Sequence, residues 1–142
     1  HIPGRITSIW EPACGSGKMV DALRDRFVLV YGSDIETGHD FLSETNNREY
    51  DAIVTNPPYA LAEQFICHAC KNAGFVAMLL RTDYDHAKTR QYLFGKCPTF
   101  SKKLVLTQRI RWIEGTTGSP SFNHAWFIWD HKHEGQPVLA YR

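Results

Sequence analysis

Short apolar runs alternate with segments of helical periodicity along the 142 residues of this chain. The apolar runs predict strands at 6–10, 27–31, 51–55, 75–80, 104–106 and 125–129. Between them, apolar positions at helical spacing predict helices at 18–26, 60–72 and 87–94. Because parallel strands are joined through crossover helices, this order predicts an α/β fold with a mostly parallel sheet.

Three further segments complete the predicted order. Residues 40–42 read either as a short strand or as a loop, and residues 109–113 continue the strand at 104–106. The segment 115–121, rich in Gly, Thr, Ser and Pro, is predicted to be the most mobile loop. Residues 125–129 are apolar on both alternating faces, which predicts a strand in the interior of the sheet.

The composition is typical of one globular domain, which we place at residues 1–142. With 43% hydrophobic and 22% charged residues, the chain is neither disordered nor collagen-like. The apolar runs are too short to span a membrane and no secretory signal opens the chain, so we predict a cytoplasmic protein with no membrane partner. Because the sequence begins with His1, we expect that it starts within a longer reading frame or after a tag.

The four cysteines do not show the spacing of a disulfide framework, which agrees with a reducing compartment. Cys67 and Cys70 form a Cys-x-x-Cys pair on one face of a predicted helix, but no second pair of ligands accompanies them. We therefore predict that they are buried as small apolar side chains and that the protein has no metal site.

Basic residues are concentrated in one part of the chain. The net charge is only +1, but residues 81–111 contain eight basic and two acidic residues, a local net charge of +6. This excess is typical of a surface that faces a polyanion, although a solvated helix and strand would show it too. The candidate phosphate contacts in this stretch are Arg81, Lys88, Arg90, Lys102, Lys103, Arg109 and Arg111.

The ends of three predicted strands carry candidate chemistry, because ligands of such sheets bind beyond the carboxyl ends of the strands. The first strand is followed by the glycine turn 11–17, where Gly15 and Gly17 allow close approach of a ligand to the backbone. Gly17-Lys18 resembles part of a P-loop. However, Pro12 replaces the glycine and Met19 replaces the hydroxyl residue that a P-loop requires, so nucleotide hydrolysis is excluded.

Asp34 follows the second strand, 17 residues after Gly17. This interval is close to the separation of about 20 residues at which a carboxylate accepts hydrogen bonds from ribose hydroxyls. An isolated Asp in this position more often caps a turn or a short helix. Together with the glycine turn, however, Asp34 favours a nucleoside cofactor with a free ribose.

The third strand end carries the sequence Asn56-Pro57-Pro58-Tyr59. Two successive prolines stiffen the turn, so the Asn56 side chain and the Pro57 carbonyl form a fixed pair of hydrogen-bond acceptors. Such a pair fits a planar amino group with two N–H donors, and Tyr59 can stack on the same plane. A helix start with Asn as its cap is the alternative interpretation.

These motifs together resemble the amino-directed S-adenosylmethionine-dependent methyltransferases, above all the adenine-N6 DNA methyltransferases, from Trp10 to about Asp130. The resemblance implies a Rossmann-like sheet of seven strands, with helices on both faces and with 125–129 as the one antiparallel strand. It also implies S-adenosylmethionine as cofactor. The cofactor-binding residues that it implies are Glu11, Pro12, Ala13, Cys14, Gly15, Gly17, Asp34, Ile35, Asp40, Phe41 and Asn56.

The resemblance further implies that Asn56, Pro57, Pro58 and Tyr59 are catalytic. Two acceptors on the amino group would direct the nitrogen lone pair toward the cofactor methyl group, so catalysis would be orientation and electrostatic stabilisation. The target base would be flipped out of the duplex and stacked on Tyr59. Trp112 is a candidate for the opposite wall of the base pocket, or else a core residue.

Two departures from the family pattern leave alternatives open. Only nine residues precede Trp10, fewer than the family's usual cofactor-supporting helix needs, and no long insertion offers a target-recognition domain. The main prediction is methylation of adenine N6 in DNA. The alternatives are methylation of RNA bases or of a protein glutamine amide, and a binding module that holds the cofactor without turnover. The oligomeric state is not predicted.

Overall fold

The computed structural model describes residues 2–44, 49–108 and 122–142. Within these residues, seven strands form one sheet: β1 Ser8–Glu11, β2 Leu29–Gly32, β3 Ala52–Thr55, β4 Phe75–Arg81, β5 Phe100–Val105, β6 His124–Asp130 and β7 Val138–Tyr141. The α-helices are α1 Lys18–Arg24 and α2 Ala62–Asn72. Short 3-10 turns lie at Ile35–Thr37, Tyr59–Leu61, Tyr84–His86 and Lys88–Arg90.

The strands follow the order β2-β1-β3-β4-β6-β5-β7 across the sheet. Strand β6 runs antiparallel to both of its neighbours, β4 and β5, whereas the remaining pairs are parallel. This topology confirms the predicted Rossmann-like seven-stranded sheet and the insertion of strand 125–129 between its neighbours. It also places the carboxyl ends of β1, β2 and β3 at one edge.

The two α-helices cover opposite faces of the sheet. Successive residues of a strand point to opposite faces, so each central strand supplies side chains to two cores. Ile9 of β1 packs with Val20 of α1, whereas Trp10 packs with Phe65 and Ile66 of α2. The predicted placement of helices on both faces is confirmed.

The prediction of a helix at 87–94 is wrong. The chain forms only a 3-10 turn at Lys88–Arg90, followed by turns in which the N–H groups of Leu93 and Phe94 bond to carbonyls three residues earlier. Leu93 and Phe94 are buried next to each other at one end of the segment. A helix there would have no apolar stripe along its length to bury, so packing favours the shorter turns.

Two strand predictions also change. Residues 40–42 form a turn, in which the Asp40 side chain and carbonyl accept from the N–H groups of Leu42 and Ser43, so the loop alternative is correct. The seventh strand, β7, was not predicted. Its residues Val138 and Leu139 are 50% and 57% exposed, so they do not form the buried apolar run from which a strand is predicted. Backbone pairing with β5 holds them instead.

The predicted strand at 104–106 is longer than its apolar residues suggest. Strand β5 already begins at Phe100, which is paired with Trp129 of β6. Lys102 and Lys103 belong to the strand although they are polar, because they pair with Ile128 and Phe127 of β6. The predictions for 109–113 and 115–121 concern residues outside the described ranges.

Cys67 and Cys70, which were predicted to be buried, are half-buried and pack against the core on the α2 face, as does Cys97. All four cysteines are free. Burial raises the pKa of the Cys70 thiol to about 12, so this thiol stays protonated at neutral pH.

Within the described part of the chain, no cluster of His, Cys, Asp and Glu could hold a metal ion. In the same residues, no helix is long and apolar enough to cross a membrane.

Candidate active site

The carboxyl ends of β1, β2 and β3 open onto a cavity of about 310 Å³. Strand β1 lies between β2 and β3, so the loops that follow these three strands are neighbours. The cavity is lined by Pro12, Ala13, Asp34, Ile35, His39, Asp40, Phe41, Asn56, Pro57, Pro58, Leu61 and Phe65. The fold therefore brings all three predicted strand-end motifs into one space.

The glycine turn after β1 needs two residues in the left-handed region. Gly15 has φ 48° and Gly17 has φ 83°, and Gly17 is the residue that precedes α1. A side chain at either position would strain the backbone. The turn is fixed to the end of β2, because Cys14 N–H donates to the Ser33 carbonyl at 3.0 Å.

Asp34 joins two loops at the rim of the cavity. One carboxylate oxygen accepts from the Gly15 N–H at 2.8 Å and the other accepts from the Glu36 N–H at 3.0 Å. Asp34 thus caps a short helix, as the alternative interpretation of this residue predicted. The same side chain also lines the cavity. Each carboxylate oxygen has further acceptor capacity, so capping and binding of ribose hydroxyls are compatible.

The other predicted cofactor residues differ in exposure. Ile35 is 63% exposed at the cavity rim, whereas Phe41 is buried and packs edge-on against Trp10 at a centroid distance of 5.2 Å. Asp40 is exposed. His39, which the sequence analysis missed, also lines the cavity, and its Nδ1 lies 3.0 Å from Glu44 Oε1. A single histidine in a loop carries no periodic signal that could have identified it.

Glu11 lies at the end of β1 but does not line the cavity. It is 2% exposed, and its carboxyl group accepts from the Thr55 hydroxyl and from the Ala13 N–H. Burial raises the pKa of Glu11 to about 7, although the two hydrogen bonds act in the opposite direction. Burial and the nearby Glu11 and Asp34 carboxyl groups also raise the pKa of the Cys14 thiol, which disfavours a nucleophilic thiolate.

Asn56 follows β3 and is half-buried, Pro57 is buried and Pro58 is exposed. All three line the cavity. Among the described residues, no donor is bonded to the Asn56 side chain or to the Pro57 carbonyl oxygen. The two acceptors are therefore available to a ligand. Tyr59, which completes the motif, is 55% exposed and lies outside the lining of this cavity.

Tyr59 belongs instead to a group of aromatic and arginine side chains beside the cavity. Its ring meets the ring of Tyr84 edge-on at 6.4 Å. The Arg81 guanidinium carbon lies 5.7 Å from the Tyr59 centroid and 4.2 Å from the Phe122 centroid. Phe122 was not predicted, because it stands in a polar segment without periodicity. Burial raises the pKa of the Tyr59 phenol, so it remains neutral.

Several predicted phosphate contacts have partners within the protein. Lys103 Nζ donates at 2.8 Å to the Thr82 carbonyl and to both carboxylate oxygens of Asp85, which uses its three protons. Arg90 donates to the Tyr84 carbonyl and stacks on the Tyr84 ring at 4.0 Å. A contact from Lys103 to phosphate would require breaking its half-buried ion pair with Asp85.

The remaining basic candidates differ in accessibility. Lys88 is exposed, Lys102 is half-buried on β5, and Arg81 is paired with Asp83. Arg109, Arg111 and Trp112 lie outside the described residues.

No family model and no curated protein matches this chain. Among solved structures, the 23S rRNA methyltransferase ErmE superposes with a TM-score of 0.62 at 18% identity, covering 94% of this chain and 64% of the ErmE chain. A protein from Thermoplasma acidophilum that is assigned as a methyltransferase superposes with a TM-score of 0.47 at 14% identity, covering 94% of this chain and 71% of the other. The chain has the Rossmann-like fold of the methyltransferases and spans about two-thirds of the length of ErmE.

Proposed function

We propose that this protein transfers a methyl group from S-adenosylmethionine to the exocyclic N6 amino group of adenine in a nucleic acid, with DNA as the first candidate. The observation that carries the proposal is the pair of available acceptors, the Asn56 side chain and the Pro57 carbonyl, in the same cavity as Asp34. An amino group with two N–H donors matches this pair.

The residues that line the cavity suit the proposed cofactor in polarity and charge. Ile35, Phe41 and Leu61 offer apolar walls to a nucleoside ring, and Asp34 offers acceptors to ribose hydroxyls. Asp34 and Asp40 make the cavity wall acidic, which favours a ligand with a positive charge. When bound there, S-adenosylmethionine supplies an electrophilic methyl group on a cationic sulfur.

The role of Asn56 and Pro57 follows from the chemistry of an exocyclic amine. The nitrogen lone pair of such an amine is delocalised into the ring, which makes it a weak nucleophile. When the Asn56 side-chain oxygen and the Pro57 carbonyl oxygen each accept one N–H, they favour a pyramidal nitrogen and orient its lone pair. The rate enhancement then comes from positioning and electrostatic stabilisation, with no covalent bond to the protein.

A base within a duplex does not reach such a cavity, so the target nucleotide must be turned out of the helix or taken from a single strand. The exposed rings of Tyr59 and Phe122 lie beside the cavity and can stack on a planar base. Phe122 thus offers a ring for the opposite wall of the base pocket, for which the sequence makes Trp112 a candidate.

RNA is the second candidate substrate, because the solved structure of a 23S rRNA methyltransferase shares the fold over 94% of this chain. The same pair of acceptors would serve an adenine of RNA. Methylation of a protein glutamine amide and cofactor binding without turnover are the remaining outcomes of the test.

The test is incubation of the protein with S-adenosylmethionine carrying a labelled methyl group, with unmethylated DNA, with RNA and with a cell protein extract in separate reactions. The labelled nucleoside or amino acid is then identified by mass spectrometry. We expect N6-methyladenine, and its absence from Asn56→Ala reactions would assign the label to this protein. Label in glutamine, or cofactor binding without label in any reaction, would overturn the proposal.

A further inference from the structure

An arginine lies against two exposed aromatic rings at the edge of the sheet that carries Asn56. The Arg81 guanidinium carbon is 4.2 Å from the Phe122 centroid and 5.7 Å from the Tyr59 centroid. Tyr59 and Phe122 are 55% and 50% exposed, so neither ring belongs to the core. A guanidinium is attracted to aromatic faces, and here it covers ring surface that would otherwise face solvent.

Asp83 holds the guanidinium in this position. Arg81 Nε donates to Asp83 Oδ1 at 3.0 Å, and Arg81 Nη2 donates to Asp83 Oδ2 at 2.6 Å. Two parallel hydrogen bonds fix the orientation of the planar group. They also neutralise its charge, so the paired Arg81 is a weak ligand for phosphate.

The position of Arg81 is set by the sheet. Arg81 ends β4 and is paired in register with His124, the first residue of β6. Phe122 lies two residues before His124, and the Asn123 carbonyl accepts from the Thr82 N–H at 3.0 Å. The backbone therefore holds Phe122 and Arg81 side by side, so their contact follows from the antiparallel pairing.

We propose that Arg81 is a placeholder for the target base, occupying ring surface of Tyr59 and Phe122 until the base displaces it. This inference rests on the proposed function. A flipped base stacks through its own flat face, and a base and a guanidinium cannot cover the same face of one ring. Binding of the base thus requires Arg81 to leave the rings, and the ion pair with Asp83 opposes that movement.

The test measures KM for the nucleic acid that the wild-type protein methylates. Arg81→Lys keeps the charge but loses the planar group that stacks on the rings and its two parallel hydrogen bonds to Asp83, so it is expected to lower KM about three- to tenfold. Arg81→Ala is expected to lower KM as well. Lys88→Ala, which removes an exposed charge from the same stretch, is the control and is expected to raise KM.

A second measurement needs no substitution at the site. The Arg81 Nε–H resonance of the wild-type protein is expected to shift when the same nucleic acid is added, because the group leaves the ring current of Phe122. Arg81→Lys identifies that resonance by its loss.

Two results would overturn the inference while leaving the proposed function intact. One is a KM in both Arg81 variants that rises as much as in Lys88→Ala, which would make Arg81 a direct contact. The other is an unchanged Arg81 resonance at saturation. A wild-type protein that methylates no nucleic acid would overturn both proposals.

Discussion

The carboxyl group of Glu11 accepts a hydrogen bond from the hydroxyl group of Thr55, the residue directly before Asn56. Glu11 ends β1 and Thr55 ends β3, and both side chains are buried, at 2% and 0% exposure. The bond therefore links the turn that follows β1 to the turn that presents Asn56. The turn that presents Asn56 is therefore held on one side by this buried polar contact and on the other by two successive prolines.

Glu11 should make the stability of the protein depend on pH. Its pKa is raised from 4.5 to about 7 in the folded protein, so between these values the folded state binds more protons than the unfolded state. The free energy of unfolding is expected to fall as pH rises through this window, by on the order of 3 kcal/mol in total. Chemical denaturation at a series of pH values measures this fall.

The matched comparison is Glu11→Gln, which keeps a similar shape but does not titrate. Its unfolding free energy should vary less between pH 4.5 and 7 than that of the wild type. Glu134→Gln, an exposed substitution, should leave the wild-type pH dependence unchanged. Identical curves for wild type and Glu11→Gln would show that Glu11 ionises normally in the folded protein.

Asn56→Ala tests the proposed acceptor. Because the substitution removes the carboxamide and with it one positioned acceptor, kcat is expected to fall about a hundredfold or more while cofactor affinity changes little. Asn56→Asp retains an acceptor oxygen and should lose less activity. Steady-state kinetics and calorimetry separate the two effects, and equal losses of affinity and turnover would contradict the assigned role.

Asp34→Ala is expected to act on cofactor binding. A carboxylate that accepts from a ligand hydroxyl contributes about 1.5–3 kcal/mol for each hydrogen bond, so the dissociation constant should rise about tenfold or more. Glu36→Ala, on the same turn but with an exposed side chain, is the control. Calorimetric titration with S-adenosylhomocysteine measures both, and an unchanged affinity in Asp34→Ala would remove this residue from the site.

Lys103 is expected to stabilise the fold, whereas Lys88, which carries the same charge, is expected to contact nucleic acid. Lys103→Ala removes both hydrogen bonds that the Asp85 carboxylate accepts from Lys103 and should lower the free energy of unfolding by about 1–3 kcal/mol. Lys88→Ala should leave stability unchanged and reduce the slope of log affinity for nucleic acid against log salt by about 1. Thermal unfolding and binding at several salt concentrations distinguish them. A stability loss in Lys88→Ala would contradict this division.

The sequence predicted the cavity well because each of its walls is a local motif at the end of a strand. Asn56 directly follows the buried strand β3, Asp34 lies two residues after the end of β2, and parallel strands bring their carboxyl ends to one edge. Once the parallel order was predicted, the meeting of these residues followed. The structure adds His39, Leu61 and Phe65 to the same cavity.

The aromatic group beside the cavity could not be predicted in this way. Arg81 and Phe122 are distant in the sequence and meet only because β6 pairs antiparallel to β4. No local pattern encodes that register. The same limit applies to Lys103, because its charge predicts a phosphate contact whereas its Nζ donates to the Asp85 carboxylate.

The central position of β6 also determines when the sheet can form as the chain is synthesised. Strand β4 carries six buried residues in succession, and its free edge is covered only by β6, which begins more than forty residues later at His124. A nascent chain that has emerged only as far as β5 presents an apolar strand with unpaired backbone groups, a surface prone to self-association. Phe122 and Arg81 also come together only when β6 pairs with β4. The aromatic group at the proposed base site is therefore complete only after this pairing, and translation products that end before Phe122 would lack it.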